Sequence, residues 1–257
     1  MNTSFAVTKD GKKIAYDING EGPAIIFLHG GRQTRNTWHE LGYVERLLKA
    51  NYQIVTVDIR GNGESDRPVV SSEYSIVAHC EDILAVADAC GMECFTLCGY
   101  SYGGNIGRYL ASISSRVSRF IMIGIPFGSG ASGDFRRFII GFRDHWTPIL
   151  EAQRSGSLDV QSLTPEDKGA LASGQIPLAV AWTSAMLEWP VNEPNDLRCP
   201  TLWVIGSKND AAMASFNQYG TALAKTNVTV KILEGLNHEQ ELLDIDTVFS
   251  LISGNEE

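Results

Sequence analysis

The 257-residue chain predicts an α/β fold: a mostly parallel, twisted sheet with helices on both faces. Two observations carry this. Continuous apolar runs such as Ala24-Ile25-Ile26-Phe27-Leu28 have the character of strands covered on both sides. Between residues 24 and 125 such runs alternate with helical stripes across short connections, and parallel neighbours require crossovers of that kind.

In order, residues 4–18 read as a hairpin, because Phe5, Val7, Ile14, Tyr16 and Ile18 alternate with polar neighbours around Asp10-Gly11. The strand at 24–28 ends in His29-Gly30-Gly31-Arg32. Apolar residues at 38, 41, 44, 47 and 48 place a helix over 38–50. The strand at 52–57 runs into a polar, glycine-rich loop, Asp58 to Pro68. A helix over 73–90, a strand at 94–98, a helix after Ser101 and a strand near 117–125 follow. Residues 127–195 break the rhythm with three glycines near their start and several tryptophans, and read as a helical lid or cap. The core is then 1–126 with 196–257. It resumes with a strand at 200–205, a helix over 211–225, a last strand at 228–233 and a final helix carrying Leu242 to Ile252.

Hydrophobic residues make up 44% and charged residues 20%, enough for a full globular core. A net charge of −9 argues against nucleic acid or an anionic membrane as the main partner. The N-terminus lacks a basic segment followed by an apolar one, and no apolar run approaches the ~20 residues that span a bilayer. Five cysteines, an odd and sparse number, fit a reducing cytoplasm. Cys90, Cys94 and Cys98 are evenly spaced, but two lie on a strand with no histidine nearby, so no metal site is expected. The expectation is a cytoplasmic monomer or homodimer acting on a small molecule, without cofactor.

The stretch that organises the chemistry is Gly99-Tyr100-Ser101-Tyr102-Gly103-Gly104. A serine on a sharp strand-to-helix turn needs glycines two residues to either side, because strand and helix nearly touch there. A serine hydroxyl needs a base, and the base needs a carboxylate to fix its tautomer. Of His29, His39, His79, His145 and His238, only His238 follows the last strand on a loop able to reach the sheet's carboxyl edge. Asp210, in the loop after the penultimate strand, is the expected acid; Asp134, Glu234, Glu239 and Asp244 are less well placed. The oxyanion donors are expected to be the N–H groups of Tyr102 and Gly31. The Asp58–Asp66 loop lacks the Lys-Ser/Thr of a phosphate cradle and reads as a brace for the Ser101 turn.

Together, His29-Gly30-Gly31, Asp58-x-Arg60-Gly61-x-Gly63-x-Ser65-Asp66, Gly99-x-Ser101-x-Gly103-Gly104, Asp210 and His238 resemble the α/β-hydrolase superfamily, in its branch with a helical cap after the sixth strand. The resemblance runs from about residue 5 to 253. It implies a Ser–His–Asp hydrolase without cofactor and leaves the substrate open. Relatives that hydrolyse epoxides and haloalkanes use an aspartate nucleophile, where this chain has Ser101. Proline iminopeptidases continue His-Gly-Gly with Pro-Gly, where this chain has Arg32-Gln33. Three readings follow: a carboxylic ester hydrolase, a carbon–carbon bond or lactone hydrolase on the same triad, or a ligand-binding protein on a hydrolase scaffold. In the second, Arg32 and Arg35 are candidates to hold a substrate carboxylate, against the plainer reading that both are solvated.

Overall fold

A computed structural model describes residues 3–254. The hairpin forms as expected, β1 (Ser4–Val7) pairing antiparallel with β2 (Lys13–Asn19). Six strands follow: β3 (Ala24–Leu28), β4 (Gln53–Val57), β5 (Phe95–Tyr100), β6 (Val117–Ile123), β7 (Thr201–Gly206) and β8 (Val228–Leu233). All eight join one sheet in the order β1-β2-β4-β3-β5-β6-β7-β8. β2 meets β4 antiparallel, and every pair from β4 to β8 is parallel.

The helices are α1 (Asn36–Glu40), α2 (Tyr43–Lys49), α3 (Ile76–Ala89), α4 (Tyr102–Ile113), α5 (Gly133–Ser155), α6 (Pro165–Ala172), α7 (Ile176–Leu187), α8 (Asp210–Tyr219), α9 (Gln240–Leu243) and α10 (Ile245–Ser253). Strand alternation sorts them onto two faces. Ile26 and Leu28 of β3 join a core with Cys80, Ile83 and Val86 of α3 and Ile106 and Leu110 of α4. Their neighbours Ile25 and Phe27 join the other core with Trp38, Tyr43, Leu47 and the α10 residues Val248, Leu251 and Ile252. Each of these buried apolar side chains contributes about 1.5–3 kcal/mol.

Two expected helices are broken. The 38–50 helix divides at Gly42, which takes a left-handed φ of 83°. The final helix divides at Asp244, leaving the short α9 ahead of α10. Among the described residues no single helix is long and apolar enough to cross a membrane.

Residues 127–195, between β6 and β7, hold α5, α6 and α7. Their two ends are pinned together by an antiparallel bridge between Gly128 and Asn192. Arg108 of α4, fully buried, reaches the carbonyls of Pro126 (3.2 Å) and Ser129 (2.7 Å), and burial lowers its pKa to about 10. α7 packs Leu178, Ala181 and Ala185 against Tyr74.

Two buried histidines make stability pH-dependent. Burial holds His29 down to about 4 and His79, whose Nε2 lies 2.8 Å from the Tyr102 hydroxyl, down to about 3. Unfolded, each binds a proton near pH 6.5, so the stability they contribute is complete above that pH. It is lost as pH falls toward the folded values, by up to about 1.4 kcal/mol per unit of pH per group. Asp82, raised to about 6 by its burial, runs the opposite way, but it is one group against two. The melting temperature, followed by circular dichroism, is expected to fall between pH 6.5 and 4.5; a flat profile would contradict the neutral assignment.

Candidate active site

Ser101 stands between β5 and α4 with φ 51° and ψ −114°, a conformation costing a non-glycine residue about 1–3 kcal/mol. The surroundings enforce it. Ser101 N–H donates to Ile123 O (3.0 Å) and Gly103 N–H to His29 O (3.0 Å). The flanking glycines are needed for the expected steric reason: a Cβ at Gly99 would sit 2.5 Å from the Gly103 carbonyl oxygen, and one at Gly103 would strike the Leu28 carbonyl.

The loop after β8 brings His238 Nε2 to 3.0 Å from Ser101 Oγ, although 137 residues separate them. The ring stacks on Tyr100 with centroids 5.1 Å apart and 20° between planes, and the Tyr100 hydroxyl donates to His238 O at 2.9 Å. Burial pushes the Tyr100 phenol well up, so it remains a neutral donor.

The expected acid does not reach this ring. Asp210 is exposed at the first position of α8, and among the described residues no hydrogen bond or ion pair joins it to His238. The residue before it, Asn209, is the helix N-cap: its side chain accepts from Ala212 N–H and turns inward, so the following side chain turns out. The carboxylate beside His238 belongs instead to Glu241, in α9. Its Oε2 lies 3.2 Å from His238 Nδ1, and the side chain is fully buried. Its Oε1 accepts from Gly206 N–H (2.5 Å) and from Asn209 Nδ2 (2.9 Å). The only trace of this in the sequence is the three-residue spacing from His238, which on a helix places two side chains on one face.

The two expected oxyanion donors converge. Gly31 and Tyr102 line the same cavity as Ser101, and neither N–H has an acceptor among the described residues. His29 shapes the Gly31 loop: its Nε2 accepts from Ile59 N–H (3.1 Å), leaving Nδ1 to donate to Gly30 O (2.7 Å).

Behind the loop, Arg35 is buried rather than solvated. Its guanidinium is paired with Asp17 (2.9 Å), Asp58 and Glu64, and its N–H donates to Asp58 Oδ1 (2.7 Å). The Asp58–Asp66 loop therefore braces the loop carrying Gly31 directly, and reaches the Ser101 turn through His29, which Ile59 N–H holds and whose carbonyl accepts from Gly103 N–H. Arg32 is exposed and off the cavity wall.

The cavity over Ser101 measures about 410 Å³. Its walls are Tyr102, Ile125, Pro126, Ala131, Phe135, Trp182 and Met186, with Asn105, Ser129, Ser132 and Asn209 as polar points; among the described residues no Asp, Glu, Lys or Arg lines it. Phe135, Trp182 and Met186 come from the segment between β6 and β7. The arrangement suits a neutral carbonyl compound held between a serine–imidazole pair and two free N–H groups.

Several known proteins are similar to this chain. Human epoxide hydrolase 4 is 29% identical over 123 residues, which cover 47% of this chain and 33% of that protein. The chain thus spans about a third of the length of that curated relative. An esterase from Exiguobacterium antarcticum superposes with a TM-score of 0.73 at 19% identity, covering 98% of both chains. An epoxide hydrolase from Vigna radiata gives 0.72 at 18% identity, over 98% of this chain and 96% of that one. The pattern of the alpha/beta hydrolase fold family matches residues 23–240, and the chain belongs to that family.

Proposed function

We propose that this protein is a serine hydrolase that cleaves uncharged carboxylic esters of small to medium apolar substrates through an acyl-enzyme. The observation that carries the reading is the 3.0 Å approach of His238 Nε2 to Ser101 Oγ, beneath two N–H groups with no other partner among the described residues. His238 takes the serine proton as Oγ attacks the ester carbonyl, and the Gly31 and Tyr102 N–H groups receive the oxyanion. Each such donor is worth about 2.7–4 kcal/mol of barrier. His238 then protonates the leaving alkoxide, and water activated by the same imidazole releases the acid. No step needs a cofactor.

A serine favours esters over the epoxides named for several relatives. Opening an epoxide with a hydroxyl forms an ether, which has no carbonyl for water to attack, whereas an aspartate would form a hydrolysable ester. The carbon–carbon reading loses its carboxylate clamp, since Arg35 is spent on three carboxylates and Arg32 is off the cavity. In this reading residues 127–195 form a lid on a core of 1–126 and 196–257, and supply the apolar wall.

The test is a panel of p-nitrophenyl esters with purified protein. Neutral butanoate and hexanoate esters are expected to exceed the charged monosuccinate by at least about 100-fold in kcat/KM, because a carboxylate in this cavity would lie buried and unpaired. A fluorophosphonate probe is expected to add its mass to the peptide containing Ser101. Equal rates on charged and neutral esters, or labelling elsewhere, would overturn the reading.

A further inference from the structure

We propose that Glu241 is the positioning carboxylate of His238. The inference rests on the Ser101–His238 reading and deepens it. The groups facing the imidazole are Ser101, Tyr100, Asn209 and Glu241. Tyr100 offers the ring its face and spends its hydroxyl on the His238 carbonyl. The two protons of Asn209 Nδ2 go to Gly124 O (2.9 Å) and Glu241 Oε1 (2.9 Å), so its 3.3 Å approach to His238 Nδ1 is a contact and not a donated bond. Nδ1 is therefore left to carry a proton and to donate a hydrogen bond to Glu241 Oε2 at 3.2 Å. That tautomer presents the Nε2 lone pair to Ser101, as a base requires.

The fold keeps room for this carboxylate at Gly124. At Gly124, beyond β6, a Cβ would fall on Glu241 Oε2 and 2.9 Å from His238 Nδ1. At Gly206, ending β7, a Cβ would strike the Leu236 carbonyl oxygen first and would lie 3.2 Å from Glu241 Oε1. The space beyond both strands, where a carboxylate from either loop would enter, is taken by one arriving from α9.

Glu241→Gln keeps the shape and an acceptor for Gly206 N–H but turns an amide toward Nδ1, favouring the wrong tautomer. It is expected to lower kcat by about 10³- to 10⁴-fold with KM within about threefold. The acidic limb of kcat/KM should move to lower pH as the imidazolium loses its anion. A folded E241Q within tenfold of the starting kcat overturns the proposal. A measurement on the unaltered protein covers a variant that fails to fold. With ¹⁵N-labelled histidine, His238, assigned by loss of its signals in His238→Ala, is expected to show the Nδ1–H tautomer; the Nε2–H tautomer overturns the proposal. That readout needs no turnover, so it separates this inference from the hydrolase reading, which fails if the esters are not cleaved or if Ser101→Ala still cleaves them.

Discussion

Replacing Ser101 with alanine will lower kcat on p-nitrophenyl butanoate by about 10⁵- to 10⁶-fold, the loss expected when the nucleophile is removed from a serine–imidazole pair. That corresponds to about 7–8 kcal/mol of barrier. The hydroxyl forms the covalent bond, and His238, left with no proton to take, cannot substitute for it at the carbonyl. What remains is binding in the apolar cavity and the two free N–H groups, which stabilise attack by water far less well. Stability should change by no more than about 1 kcal/mol, because alanine meets the same backbone cost at φ 51° as serine and the elbow's N–H bonds to Ile123 and His29 are backbone bonds. The measurement is kcat per mole of folded protein beside a thermal melt. Residual activity above about 1% with a native melt would show that Ser101 is not the nucleophile.

How much of this was legible in the sequence depends on how local each cause is. The elbow was, because a Cβ at Gly99 or Gly103 collides with backbone a few residues away or with the adjacent β3, and such collisions leave glycines at fixed offsets. The strand runs were legible for the same reason: a strand covered on both faces must be apolar at successive residues, as Ile25 to Leu28 are. His238 could be found because few histidines follow a strand. The acid could not. Asn209 and Asp210 are adjacent, and helix capping alone sends the first inward and the second out. Glu241 lies in a run of polar residues after His238, Glu239-Gln240-Glu241, whose pattern reads as a solvated face although its side chain is fully buried. Arg35 escaped for a different reason. Its partners Asp17, Asp58 and Glu64 come from three separate segments, and no periodicity records such a meeting.

That network gives the second large effect. Asp58 is fully buried at the end of β4, accepting the Arg35 N–H on Oδ1 (2.7 Å) and the Glu64 N–H on Oδ2 (2.9 Å) while pairing with the Arg35 guanidinium. Asp58→Ala leaves a buried cation short of one counter-charge and two N–H groups without acceptors. Breaking a buried pair from one side costs about 3–5 kcal/mol, read as a lowered midpoint in urea denaturation. Asp58→Asn, which keeps the acceptor for Arg35 N–H and the side-chain volume, should cost less than alanine. The functional consequence follows from geometry, since Arg35 lies four residues beyond Gly31 and its backbone is tied to Asp58. Loosening it lets the Gly31 N–H drift from where the oxyanion forms, so kcat should fall by about 10- to 100-fold with KM nearly unchanged, a part of the full loss of one such donor. Arg35→Met is the control that separates bracing from bulk. It also destabilises, by leaving Asp17 and Asp58 facing each other without the cation. Combined with Asp58→Ala, it should cost less than the sum of the two singles by at least about 1 kcal/mol, because each single change strands the partner that the other removes. Additive losses would mean that the pair does not act as a unit, and the Asp58 loop would then have no hold on the oxyanion site.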